Sequence, residues 1–291
     1  MSIAVECRNL KKSYGKTEVL KNINLSLEEE KIYGLLGRNG AGKTTLLNLI
    51  CSQIMRDDGE INIYGEEVFE NSKALEQLCL VKEKEFKIEE YRVRRIFDIA
   101  AILYKDWSKE YANYLIKELK LDVKKKYKNL SRGMKSLVGI IIGLASKAKI
   151  TIFDEPSLGL DAAARDKIYS FILEEYEKSK RTFIISTHLI DEVSSLFEEV
   201  IIIDKGEVAI KEDMAELLEK AHFLSGKEES IRSIVDSKKI IHKEFFGNTV
   251  IIGFLGELNK KELEALKKDN IEISPMPLQK LFIYITEEVC N

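Results

Sequence analysis

The sequence predicts an α/β fold, a mostly parallel sheet with helices on its faces and an antiparallel β edge, followed by a small C-terminal α/β appendage. Three observations carry that prediction. Apolar strand patterns alternate with helical ones from about residue 149 to 210, as in a parallel sheet with crossover helices. A strand, a glycine turn and a helix pattern succeed one another over 31–54, the opening of a phosphate-binding unit. After about residue 215 the character changes, and a hairpin and an amphipathic helix replace the alternation.

Taken in order, IAVECRNL (3–10) and INLSL (23–27) have a period near two with a turn around Tyr14-Gly15-Lys16, and read as the antiparallel edge. KIYGLL (31–36) is a short apolar run bounded by charge and glycine, and TTLLNLICSQI (44–54) is the helix after it. Residues 84–148 carry few strand signals; FDIAAILY (97–104), YANYLIKELK (111–120) and LVGIIIGLA (137–145) fit helices. KITIFDE (149–155) is a continuous apolar run ending in two acids, the pattern of a buried parallel strand. RTFIIST (181–187) and EVIIIDKGEVAI (199–210) repeat the strand pattern. Beyond them, HKEFFGNTVIIGFL (242–255) reads as a hairpin, LNKKELEALKKD (258–269) as a helix and PLQKLFIYIT (277–286) as a helix or strand.

A chain of 291 residues suggests one large domain or two. Lys and Arg total 46 against 49 Asp and Glu, a net charge of −3, which argues against a general nucleic-acid binder. The longest run of apolar residues and glycine is nine, Leu137 to Ala145, whereas a membrane span needs about 20. The start, MSIAVECRNLKKS, lacks a secretory apolar stretch, so a soluble, cytosolic chain is expected. Cys7, Cys51, Cys79 and Cys290 lie far apart without a CxxC pair, pointing to buried or free thiols rather than a zinc site or disulfides.

The chemistry concentrates in two places. Gly37-Arg38-Asn39-Gly40-Ala41-Gly42-Lys43-Thr44 matches GxxxxGK[ST] between a strand and a helix. Gly40 and Gly42 let backbone N–H groups turn inward around phosphates, while the following helix points its positive end at them. Lys43 is expected to reach the β and γ phosphates, and the Thr44 hydroxyl to hold Mg²⁺. The second place is the acidic strand end. There Asp154 is placed to bind Mg²⁺ through Thr44 or water, and Glu155 to polarise an attacking water.

LSRGMK (130–135), Asp154-Glu155-Pro156-Ser157-Leu158-Gly159-Leu160-Asp161 and Ser186-Thr187-His188, in that order behind the phosphate loop, resemble the nucleotide-binding subunit of ATP-binding-cassette (ABC) transporters. The resemblance covers roughly residues 1–212, with a helical subdomain at about 84–148, and leaves 213–291 as an accessory domain. It implies a P-loop NTPase cassette that hydrolyses ATP with Mg²⁺ in a head-to-tail dimer, each ATP lying between the phosphate loop of one subunit and the LSRGM segment of the other. It also implies site residues. Gly37, Asn39, Ala41 and Thr45 join the phosphate loop, and Tyr14 looks like the aromatic that stacks on adenine. Ser131 and Gly133 look like the groups that touch the γ-phosphate from across the dimer, Asp161 like the acid coupling the two sites, and His188 like the switch histidine. Lys43, Glu155 and His188 are the expected catalytic set. His222 and His242 have no comparable setting.

Two positions depart from the family pattern. Where the family usually has a glutamine that senses Mg²⁺ and the transporter, this chain has Glu83, with Glu85 the next candidate; a carboxylate there can ligate Mg²⁺. Arg132 stands where the family more often has glycine, facing the opposing nucleotide or lying on the helical surface. The likeness implies a separate membrane permease docking on the helical segment near Glu83, and a place on the inner face of the membrane through it. Arg92, Arg94, Arg95 and Lys124-Lys125-Lys126 lie in that segment and read as a solvated face. A single cassette with a short C-terminal appendage resembles the ATPases of small bacterial exporters of peptides or toxic compounds. Importer cassettes, and soluble cassettes acting on ribosomes or nucleic acid, are the alternatives.

Overall fold

The computed structural model describes residues 2–82, 89–235 and 238–287. The chain forms two compact units, Met1–Ile210 and Lys211–Asn291. The first begins with β1 (Ile3–Tyr14), β2 (Thr17–Glu28), β3 (Ile32–Leu36), α1 (Lys43–Ile50), β4 (Asp58–Ile63), β5 (Glu66–Glu67), α2 (Ser72–Leu75) and β6 (Leu78–Lys82). It continues with α3 (Val93–Leu103), α4 (Lys109–Glu118), α5 (Arg132–Ala145), β7 (Ile150–Asp154), α6 (Ala162–Ser179), β8 (Thr182–Ser186), α7 (Ile190–Val193), β9 (Glu199–Asp204) and the first part of β10 (Glu207–Asp213), a strand that runs on past Ile210 into the second unit.

Six strands form one sheet in the order β10-β9-β3-β8-β7-β6. The pairs β9/β3, β3/β8, β8/β7 and β7/β6 are parallel. Every residue of β3, β7 and β8 is buried, the reason these strands read as unbroken apolar runs rather than alternating ones. Leu46, Leu47, Leu49 and Ile50 of α1 join Leu35, Ile152, Ile184 and Ile201 in one core, which fixes the start of α1 against the strand ends.

The antiparallel strands depart from the sequence expectation. Rather than edging the parallel sheet, they make a sheet of their own in the order β2-β1-β4-β5. β1 is sandwiched because β4 takes its second edge, pairing Val5 with Ile63 and Cys7 with Ile61. The helix after the phosphate loop also stops at Ile50, four residues before its pattern does. α5 starts at Arg132, upstream of its apolar run, because Ser131 caps it.

In the helical segment, Lys126 pairs with Glu90 at 2.8 Å and Arg92 donates to the Lys124 carbonyl at 2.6 Å. Among the described residues no helix is long and apolar enough to cross a membrane.

The second unit contains α8 (Met214–Lys220), β11 (Ala221–Gly226), α9 (Glu228–Val235), β12 (Lys239–Phe246), β13 (Thr249–Leu255), α10 (Lys260–Lys268), β14 (Glu272–Pro275) and α11 (Leu278–Thr286). From β11 to β14 this is a βαββαβ unit with antiparallel sheet order β12-β13-β11-β14, the split βαβ topology. Leu224, Ile231, Ile252, Phe254 and Leu266 form its core. The hairpin is β12–β13. Asn259 and Glu262 close a capping box on α10. The ambiguous 277–286 segment is a helix, burying Leu278 and Leu281 three residues apart.

Cys7 and Cys79 are buried and Cys51 half-buried, all as free thiols. Burial pushes Cys7 and Cys51 up to about 12 and also raises Cys79, so the reactive thiolate is scarce at neutral pH. These three thiols are expected to resist iodoacetamide in the folded protein and react fully in guanidinium, as read by peptide mass mapping. Fast native labelling of Cys7 would contradict this packing. Cys290 lies outside the described residues.

Candidate active site

The phosphate loop runs from the buried end of β3 into α1. Gly42 caps α1 at φ 109°, a region closed to L side chains, and a Cβ there would sit 2.6 Å from the Leu20 side chain. The cap makes no side-chain hydrogen bond, so the first N–H groups of α1 remain available to an anion. Gly37 and Ala41 are buried, Asn39 and Gly40 exposed, and the Ala41 N–H closes the turn on the Arg38 carbonyl at 3.0 Å.

Lys43 is buried under the loop, its Nζ donating to the Gly37 carbonyl at 2.5 Å and the Arg38 carbonyl at 3.3 Å. Burial lowers its pKa, while Glu155 and Asp154 pull it back up. Thr44 is exposed and Thr45 half-buried, and the Thr44 hydroxyl donates to Asp154 Oδ2 at 2.9 Å.

Asp154 closes β7 beside Ser186 of β8 and is 8% exposed. Its other oxygen, Oδ1, is buried with no hydrogen-bond partner among the described residues. A buried, unpaired carboxylate oxygen next to a hydroxyl fits a divalent cation. Among the described residues no cluster of three His, Cys, Asp or Glu side chains could hold a metal alone. Asp154 and Thr44 therefore suit Mg²⁺ bound with phosphate oxygens, the usual arrangement for that ion.

Glu155 follows at φ 55°, a left-handed backbone that costs about 1–3 kcal/mol for a side-chain-bearing residue. Its N–H donates to the Ser186 carbonyl at 2.9 Å, which holds that turn. Its Oε2 lies 2.7 Å from Nδ1 of His188, the exposed residue just beyond β8. Burial pushes the Glu155 carboxyl above the ordinary carboxylate range, and His188 draws it back down. With Glu155 as the base, which must be ionised to work, turnover is expected to fall as pH drops through this raised value. Removing His188 removes the downward pull, so His188→Ala is expected to move the acid limb of the pH–rate profile to higher pH. A limb that stays in place would show that the 2.7 Å pair does not govern the titration.

A second group gathers around the start of α5. Ser131 is exposed and caps the helix, its Oγ accepting from the Met134 N–H at 3.2 Å. Gly133 is buried against the loop after Glu155; a Cβ there would come 2.4 Å from the Gly159 carbonyl oxygen. Ser136 Oγ donates to the Leu158 carbonyl at 2.8 Å, a tie that sequence reasoning missed because one serine among helical residues carries no signal. The same loop ends at the exposed Asp161, which caps α6 by accepting from the Ala164 N–H at 2.8 Å. Arg132 is exposed and lines, with Lys135, a cavity that reaches Asp154 and Glu155. Tyr14 stands apart at the β1–β2 turn, 51% exposed. Glu83 and Glu85 lie outside the described residues.

Against known proteins, the family model described as "ABC transporter" matches residues 20–158. The chain is 26% identical over 282 residues to the ABC transporter ATP-binding protein YtrB of Bacillus subtilis (strain 168), covering 96% of this chain and 97% of that one. It is 30% identical over 220 residues to the bacitracin transport ATP-binding protein BcrA of Enterococcus faecalis, covering 75% and 71%. Among solved structures, a dimeric bacterial ABC transporter cassette superposes with a TM-score of 0.65 at 24% identity, over 72% of this chain and 98% of that chain.

Proposed function

The chain belongs to the family of ABC transporter ATP-binding proteins, an ATP-binding and hydrolysing family, and from that premise we propose that it powers a separate membrane permease exporting peptides or toxic compounds. Residues 1–212 are read as the cassette and 213–291 as an accessory domain. The observation that carries the catalytic assignment is the juxtaposition of two pairs at adjacent strand ends, Thr44 with Asp154 and Glu155 with His188.

In this reading the triphosphate lies along the phosphate loop, where Lys43 leaves the loop carbonyls for the β and γ oxygens. Mg²⁺, when bound, supplies neutralisation of phosphate charge, with Thr44 and Asp154 as its protein ligands and Glu83 as a further candidate. Glu155 takes the proton of the attacking water, and His188 holds Glu155 and faces the γ-phosphate. Gly37, Asn39, Gly40, Ala41, Gly42 and Thr45 line the phosphates, and Tyr14 stacks on adenine. Ser131 and Gly133 meet the γ-phosphate of a second cassette, and Asp161 couples the two sites. Closure of the dimer on ATP and opening after hydrolysis drive the permease, which places the protein at the inner face of the membrane.

Export is supported by the bacitracin transport relative. The test is purification from mild-detergent membranes: a companion chain with many apolar spans is expected. Recovery with ribosomes and without such a companion would sink the proposal.

A further inference from the structure

Asp57, just before β4, bonds three consecutive residues of β1. Its N–H donates to the Lys11 carbonyl at 3.1 Å, its Oδ1 accepts from Lys12 Nζ at 2.7 Å, and its Oδ2 accepts from the Ser13 N–H at 2.6 Å. The next residue is Tyr14, half exposed at the turn. The β1–β2 register shifts between Lys12 and Ser13, the kind of irregularity that re-aims a side chain. The Lys12 ammonium held by Asp57 also lies 5.6 Å from the centroid of the Tyr14 ring.

An aromatic ring half exposed at a hairpin turn takes its direction largely from the backbone that carries it. Asp57 fixes that backbone one residue upstream and holds the cation beside the ring. The carboxylate is well engaged: Lys12 and then the Ser13 N–H hold it below the usual carboxylate range. Nothing in the spacing of the sequence joins Asp57 to Tyr14, 43 residues earlier; the β1–β4 pairing does.

We propose that Asp57 is a positioning residue for the adenine ring, fixing the turn that carries Tyr14 and raising nucleotide affinity without touching the nucleotide. This rests on the reading of Tyr14 as the adenine-stacking residue. The probes are ATP and inorganic tripolyphosphate, which carries the charge but no base. Their equilibrium binding is measured on the wild-type chain, Tyr14→Ala, Asp57→Ala and the double variant.

Tyr14→Ala is expected to weaken ATP roughly tenfold, the scale of one base–aromatic stack, and to leave tripolyphosphate unchanged. Asp57→Ala is expected to weaken ATP about three- to fivefold, also without affecting tripolyphosphate. The double variant should bind no more weakly than Tyr14→Ala, because one residue acts through the other. The KM for ATP should rise in Asp57→Ala with kcat held. Asp57→Asn, which keeps the size and one acceptor, should fall between wild type and alanine and guards against a folding defect. Additive losses, or equal weakening of tripolyphosphate, would overturn the positioning role alone. Unchanged ATP affinity in Tyr14→Ala would overturn the stacking assignment and this inference together.

Discussion

Glu155→Gln is expected to cut ATP turnover by about 10²- to 10⁴-fold, the usual contribution of a positioned base, while ATP binding survives. Glutamine is nearly isosteric and keeps a hydrogen-bonding partner for His188 at the position now 2.7 Å away. What it lacks is a lone pair basic enough to take a proton from water. The left-handed backbone at φ 55° and its bond to Ser186 involve no side-chain atom of residue 155, so the site should keep its shape. Bound ATP would then persist, and the cassette should accumulate as an ATP-dependent dimer. Phosphate release and size-exclusion chromatography with and without ATP read both effects. Turnover within a few-fold of wild type would remove Glu155 from the role of base.

Lys43→Ala should fail earlier, at binding. A hydrogen bond to a charged group contributes about 1.5–3 kcal/mol, so losing the lysine's phosphate contacts should weaken ATP roughly 10- to 150-fold. The variant also leaves the Gly37 carbonyl, 2.5 Å from Nζ, without that donor beneath the loop. Lys43→Arg is not expected to rescue, because the larger guanidinium must enter a space that encloses a buried ammonium. Calorimetric titration with ATP separates this from the Glu155 variant, which should bind and not turn over. Wild-type affinity in Lys43→Ala would show that the loop holds phosphate through its backbone alone.

Much of this geometry was legible in the sequence because it is local. The phosphate loop is eight contiguous residues, and the acids at 154 and 155 end an apolar run whose burial on both faces forbids alternation. What could not be read was long-range pairing. β4 and β6 are short and carry charge, yet β6 runs parallel to β7 and aligns Lys82 with Asp154. The antiparallel hairpin looked like an edge strand pair because nothing in 3–28 reveals that β4, thirty residues on, closes its other side. In the second unit, β11, α9 and β14 went unread; β14 spans only four residues and ends in proline, too little for any periodicity. The ties of Ser136 to Leu158 and of Asp57 to β1 are single polar contacts between distant segments, and they leave no pattern along the chain.

The loop from Pro156 to Leu160 starts at Glu155, ends at Asp161, and is gripped midway by Gly133 and Ser136 at the head of α5. Those attachments make it a braced segment rather than a free linker. The path from Glu155 to the exposed Ser131 and Asp161 is therefore short and held at its middle against α5. Substitutions at residues 156–160 that break these contacts are therefore expected to lower both hydrolysis and ATP-driven association, unlike Glu155→Gln, which leaves them in place.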